Sequence, residues 1–466
     1  MNQLYQLSAT QLAQLIRQQK ISAVDAVTAC FEQIHQQNPT LNAFITLCPE
    51  QAKQAAIAAD NTIQQGRPLG LLHGVPIAIK DLTATAGIRT TYGSLMYQNY
   101  IPTQDELCVA RLKAAGAIII GKTSVPEFGF GTGTSNPISG TTLNPYDTTR
   151  TSGDSSGGSA VAVATGMCHL AHGSDMGGSV RTPASFCGIV GLRPAIGRIP
   201  RVPKLLPWES LITDGVLARS VEDAALMLAA MAGYDSRDPL AIDQPHWALP
   251  TWISQGWEQV RIGYSADLGI GVIDAEVEAI FEQTMETIAR RCPLMKRAHP
   301  NCTEAQHTFE TLRAAFIEHT YGQLFEKQPE QMNETLRWEI EQGIGLSAAA
   351  YLQAEAQRGR IYRRFMQFFE QYDFLATVSA SVPPFPVTQS VVLKINGTPL
   401  QSIIDYLKVT YTISLTGLPA LSIPCGWTAS GLPIGLQLVG KPHAEAELLQ
   451  FAYFLQEQFD FRHRWR

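Results

Sequence analysis

Charge is in short supply in this chain. Only 16% of its 466 residues are Asp, Glu, Lys or Arg, against about 25% in ordinary soluble domains. With 45% hydrophobic residues, that balance excludes a disordered chain and predicts a large buried core. The net charge is −6, so no basic excess points to nucleic acid or an anionic membrane as a partner. Long apolar runs are missing too. No stretch reaches the ~18 uninterrupted apolar residues of a spanning helix. The start, MNQLYQLSATQLAQ, has neither a basic leader nor an apolar centre, so no secretory signal is expected and the expected location is cytoplasmic. The eight cysteines (30, 48, 108, 168, 187, 292, 302, 425) include no C-x-x-C pair. That disfavours a metal or redox motif and predicts free, mostly buried thiols. No internal repeat is visible, which argues against a solenoid.

What is plentiful is glycine, 37 residues, much of it beside serine. The stretch Thr151–Arg193, TSGDSSGGSAVAVATGMCHLAHGSDMGGSVRTPASFCGIVGLR, holds two such clusters, GDSSGGS (Gly153–Ser159) and SDMGGS (Ser174–Ser179). The apolar run between them, Ala160–Ala171, reads as a buried helix. Backbone at a Gly-Gly-Ser turn approaches a ligand closely, because glycine has no side chain and tolerates φ > 0. Converging hydroxyls and bare amides suit acyl transfer, which needs a nucleophile, a proton relay and an oxyanion hole. The relay also needs a base. His169 and His172 read as structural or surface residues. Upstream, the apolar run Val75–Ile79 ends in Lys80 and Asp81. Desolvation at a buried strand end favours the neutral amine, a usable base. The competing reading is a lysine snorkelling to water.

Two motif matches fail on context. GAIIIGKT (Gly116–Thr123) fits the phosphate-loop pattern G-x-x-x-x-G-K-[ST]. Its middle residues, Ala117–Ile120, are themselves a strand, and Pro126 blocks the helix that should follow. Lys122 therefore reads as a surface or strand-end residue. Gly153–Gly157 fits G-x-S-x-G, the nucleophile elbow of α/β-hydrolases, but the preceding NPYDTTRTS is polar and turn-like, not a strand. No metal site is expected, since no Asp, Glu or Cys flanks His169 and His172 with zinc spacing. No cofactor is expected either.

Residues 1–65 read as helices, with Ser8 and Ser22 as N-caps and Gly66 closing the third. Val75–Ile79 and Ala117–Ile120 read as strands around a helix at 106–115. A helix at 220–232, a strand at 261–264 and helices at 274–291 and 303–372, broken near 343–347, follow. Strands at 374–378 and 390–394, a strand pair across Thr412–Pro424 around Gly417, and a strand at 435–439 precede a last helix from Ala444. Phe309, Phe316, Tyr321, Phe325 and Trp338 suit either core packing or a pocket wall. This order predicts an α/β fold, a sheet covered by helices. One large domain is expected, with N-terminal helices (1–65), a catalytic core (66–235), a variable helical region shaping the pocket (236–372) and C-terminal strands and helix completing the sheet (373–466).

Lys80, SSGGSA at Ser155–Ala160 and the Gly-Gly-Ser-x-Arg turn at Gly177–Arg181 together resemble the amidase signature family. GLLHGVPIAIKDL, RLKAAGAIIIGKT, NPYD, SSGGSAVAVATG, SDMGGSVRTPASFCGIVGLRP and LTGLPALSIPCG look like family blocks in family order, across nearly the whole chain. The resemblance implies a large twisted mixed β-sheet with helices on both faces. It implies Ser179 as nucleophile, Ser155 as a bridging serine after a cis peptide bond, and Lys80 as base. The backbone amides of Met176, Gly177, Gly178 and Ser179 match the oxyanion hole. Two residues depart from the pattern: Asp154 stands where glycine is usual, and Met176 where threonine or isoleucine is usual. A carboxylate aimed inward at Asp154 would favour protonated Lys80 and weaken the base.

The expected activity is hydrolysis of a small-molecule carboxylic amide at a linear C–N bond (EC 3.5.1.4). No nucleic-acid or membrane partner is expected, and a homodimer is the family-level expectation. The alternative is the glutaminase-type A subunit of a glutamyl/aspartyl-tRNA amidotransferase. The acidic residue by which that family anchors glutamine has no counterpart in Tyr406–Leu415, and Asp405 lies just outside. A non-catalytic binding protein is a third reading, which the joint presence of Lys80, Ser155 and Ser179 disfavours.

Overall fold

The computed structural model describes residues 4–459 except 132, 245–246, 254–255 and 390. The chain opens with helices α1 (Ala9–Arg17) and α2 (Ala23–Leu41), strand β1 (Phe44–Leu47) and helix α3 (Pro49–Gln64). Ser8 and Ser22 cap α1 and α2 as expected, each in a reciprocal capping box with the residue three places on. Then come β2 (Pro76–Lys80), α4 (Leu107–Ala114), β3 (Ile118–Thr123) and a short hairpin, β4 (Ser135–Asn136) and β5 (Gly140–Thr141). The serine-rich stretch supplies α5 (Gly157–Ala164), β6 (Leu170–Asp175), α6 (Arg181–Phe186) and β7 (Val190–Arg193), followed by β8 (Thr213–Ala218) and α7 (Val221–Met231). Next come β9 (Ile262–Tyr264), α8 (Ala275–Ala289), β10 (Met295–Arg297), α9 (Ala305–Lys327), α10 (Glu334–Gly343) and α11 (Ala348–Gln371). The chain ends with β11 (Phe374–Val378), a hairpin of β12 (Lys394–Ile395) and β13 (Thr398–Pro399), α12 (Lys408–Thr416), β14 (Ala420–Trp427), β15 (Pro433–Val439) and α13 (Glu445–Phe459).

Eleven strands form one mixed sheet in the order β1-β3-β2-β6-β8-β7-β14-β15-β11-β9-β10. Its parallel part includes β2 between β3 and β6, with Ile77 opposite Ile119 and Leu170. Alternation along the strands builds a core on each face. Ile77, Ile79, Leu170 and Val216 pack with residues of α1, α4 and α7. Ala78, Ala171 and Leu217 face α5 and the α2–α3 pair. Helix α5, GGSAVAVA, is wholly buried. A side chain at Gly158 would meet Ser124 O at 2.5 Å, so only glycine lets this helix press so close to the sheet.

Three local expectations are corrected. The run Ala160–Ala171 is helix only to Ala164, and β6 then carries the chain to the second serine cluster. The first half of Thr412–Pro424 is helix α12, not strand. Its β-branched residues favour strands, but residues 409–416 are buried, and Arg181 and Arg358 donate to the carbonyls of Thr410 and Leu415. Gly417, at φ +67, then ends the helix. Near 390–394 the described residues hold only Lys394 of a two-residue strand, and 390 lies outside them.

Candidate active site

The site starts from the end of β2. Lys80 is fully buried, and its Nζ lies 2.8 Å from Ser155 Oγ, 2.8 Å from Ser156 Oγ and 3.1 Å from Ser174 O. Two serines at the start of α5 and one carbonyl on β6 thus hold the amine between adjoining elements. Burial pushes Lys80 down to about 7, against the pull of Asp175, Asp154 and Asp214. A lysine ordinarily titrates near ~10.4, so this one is substantially neutral at physiological pH.

Ser155, Ser174, Met176, Gly177 and Ser179 line one cavity. Phe128, Phe130, Phe309, Ile404 and Leu407 form much of its apolar wall, and Phe309 stacks on Tyr411 at 4.4 Å. Among the described residues no hydrogen bond joins the Ser179 and Ser155 hydroxyls.

Asp175 shapes the turn that bears Ser179. Its carboxylate accepts the amides of Gly178 (3.0 Å) and Val180 (3.1 Å) and pairs with Arg181 (2.8 Å) and Arg193 (3.1 Å). Burial alone would raise the Asp175 pKa, but the two guanidinium groups hold it well below the usual carboxylate range. The Gly178 amide is therefore committed to Asp175. The amides of Gly177 and Ser179 meet no protein acceptor among the described residues. Gly178 has φ +136, and a Cβ there would meet Thr410 Oγ1 at 2.6 Å. Only glycine fits this turn.

Asp154 does turn inward. It is 2% exposed, lines the cavity and accepts a hydrogen bond from the Tyr406 hydroxyl. Burial pushes its carboxyl up to about 7. The Asp154–Ser155 peptide is not cis; among the described residues the cis bond is Val202–Pro203. Gly153, at φ +105, precedes this peptide.

Lys122 is not at the surface. It is fully buried and donates to Thr83 O (2.6 Å) and Thr90 Oγ1 (2.7 Å), with Asp81 at 3.7 Å. His169 and His172 are likewise buried. His172 Nε2 lies 3.2 Å from Asp214 Oδ1 and 3.9 Å from Cys108 Sγ, a trio from three separate segments that no local spacing reveals. Arg201 stands 3.9 Å from the same Asp214 oxygen, so a guanidinium already neutralises this group. Asp405 is buried against the amides of Gln401 and Ser402, while its neighbours Tyr406 and Leu407 line the cavity. Sequence reasoning missed the ion pair of Arg313 and Glu339 in the cavity wall. Its partners lie on α9 and α10, where surface-type residues carry no distinguishing pattern.

The family model described as Amidase matches residues 25–449. The chain belongs to the amidase signature family. A curated relative, the glutamyl-tRNA(Gln) amidotransferase A subunit of Moorella thermoacetica, is 34% identical over 491 residues, covering 99% of this chain and 98% of that one. A solved structure described as a vestigial complex revealing the evolutionary origins of an s-triazine catabolic enzyme superposes with TM-score 0.90 at 28% identity, covering 97% and 98%. The glutamyl-tRNA(Gln) amidotransferase A subunit of Thermotoga maritima superposes with TM-score 0.76 at 25% identity, covering 97% and 95%. These names overturn the expectation of no nucleic-acid partner: full-length relatives of this amidase are named for a tRNA and as one subunit of an assembly. An acidic chain can belong to such an assembly, because net charge reports only on its own surface field. Among the described residues no helix is long and apolar enough to cross a membrane.

Proposed function

We propose that this amidase hydrolyses a carboxylic amide through an acyl-enzyme on Ser179. The observation that carries the reading is Lys80, buried and 2.8 Å from Ser155, which lines the same cavity as Ser179. Neutral Lys80 accepts the Ser155 proton as Ser155 accepts that of Ser179. Ser179 Oγ bonds to the amide carbon, and the oxyanion faces the free amides of Gly177 and Ser179. The proton then returns through Ser155 to the amide nitrogen, the C–N bond breaks and ammonia or an amine departs. Water attacks the ester with Lys80 and Ser155 again taking its proton, and carboxylate leaves Ser179 free. Ser156, at the same distance from Lys80 as Ser155, shares the hold on the amine.

A second reading has its own support. The 34% identity along the full length of an amidotransferase A subunit favours glutamine as the amide, with ammonia passed on within a tRNA-dependent assembly. Release of ammonia or amine from aliphatic amides, aryl amides and glutamine separates the two. Turnover of other amides that Ser179→Ala and Lys80→Ala both abolish supports free hydrolysis. Turnover of glutamine alone, with partner proteins co-purifying, supports the assembly. No turnover of any amide removes the catalytic reading.

A further inference from the structure

The catalytic cavity does not account for the aromatic residues gathered beside it. Tyr92, Tyr97, Tyr100 and Tyr321 line a separate open groove, which Lys327 also borders. Phe128 is a wall of both spaces. The rings touch in series: Tyr92 packs on Tyr97 (5.2 Å), Tyr100 (6.1 Å) and Phe128 (6.5 Å), and Phe128 packs on Tyr321 (4.9 Å).

The backbone at this partition is strained. Tyr92 has φ +53 and Phe128 φ +49, a region that bulky residues rarely enter. Both are held there from the catalytic side. Asp81, next to Lys80, accepts the Tyr92 amide on its carbonyl (3.2 Å) and the Thr91 amide on its carboxylate (2.9 Å), and Tyr92 O accepts the Phe128 amide (2.7 Å). Buried Glu127 ties the segment to Ser94 (2.7 Å) and to the Asn333 amide before α10 (2.7 Å). Strain that the surroundings enforce so fully marks ligand clamps more often than filler. Tyr100 remains 43% exposed, so the groove's outer face is open.

We propose that the tyrosine groove is an outer subsite for an aromatic ring carried by the substrate amide, with the Phe128 ring as the fixed partition between ring and scissile bond. The proposal rests on the amidase reading for the word substrate, but its ligand chemistry is independent of turnover. Tyrosine faces and edges take a planar ring by stacking and T-shaped contact, and the catalytic cavity alone takes the amide.

The test is binding to the Ser179→Ala protein, which makes no acyl-enzyme. Affinities for acetamide, N-[4-(2-naphthyl)butyl]acetamide and 5-(2-naphthyl)pentanamide are measured by calorimetry or competition, the last two carrying the ring on a flexible spacer from the amine or the acyl side so that it can pass Phe128. At least one naphthyl amide is expected to bind ~10-fold or more tightly than acetamide, about 1.4 kcal/mol. Adding Tyr97→Ala and Tyr100→Ala should remove that gain while acetamide binding and melting temperature hold. Phe128→Ala should keep the tyrosine dependence, because it only removes the partition. The proposal is overturned if neither naphthyl amide outbinds acetamide, or if the gain survives the tyrosine substitutions. Ring-dependent binding by a wild type that hydrolyses no amide would sink the catalytic reading and leave the subsite standing.

Discussion

Lys80 can act as a base only once its proton has left, and burial brings that point to about 7. The rate kcat/KM is therefore expected to fall as pH drops through about 7; a profile flat well into acid would exclude Lys80 as the base. Asp154 adds to the charge that keeps the proton on Lys80. Asp154→Asn should move the acid limb to lower pH, read from the same profile, and a shift toward alkali would contradict that electrostatic role. The stability consequence has a definite sign. An unfolded lysine holds its proton to about 10.4, while the folded one releases it at about 7. Between those values the unfolded chain binds more protons, so the contribution of this residue to stability rises with pH. Lys80→Met should flatten that rise in urea midpoints measured across the window.

The turn between β6 and α6 concentrates its energetics in one carboxylate. Asp175→Ala leaves two buried guanidinium groups without their anion and should cost ~3–5 kcal/mol in urea unfolding. Ser8→Ala or Ser22→Ala should cost about 1 kcal/mol each by loss of an N-cap. These caps were legible in the sequence because a serine three residues before a polar side chain is a local pattern, and so was Lys80, at the end of a short apolar run. Helix α12 was not legible: Thr410, Thr412, Ile413 and Thr416 favour a strand, and burial of residues 409–416 with bonds from Arg181 to Thr410 O and from Arg358 to Leu415 O overrides that. The Tyr406–Asp154 bond joins residues 252 positions apart, and no spacing rule reaches that far. The candidate site was readable where neighbours in sequence make it, and opaque where α9, α10 and the segment 403–407 complete it from distant parts of the chain.

At the level of the whole molecule, seven of the eight free cysteines are buried and Cys425 is partly so. Burial pushes Cys30 and Cys48 up to about 12. A thiol reagent should therefore label the native protein slowly and the urea-unfolded protein at all eight positions; rapid labelling of several thiols in the native state would contradict this packing. The strand order has a consequence for synthesis. Six strands from residues 44–218 form one half of the sheet and five from residues 262–439 the other, joined where β7 meets β14. While the ribosome has yet to deliver residues 420–439, the half already made ends on a bare β7 edge with unsatisfied amides and carbonyls. Such an edge recruits whatever strand is nearest. The closing strands arrive almost last, so this chain spends the whole stretch of translation between β8 and β14 needing shelter, and a ribosome stalled before β14 releases an adhesive fragment rather than a slower catalyst.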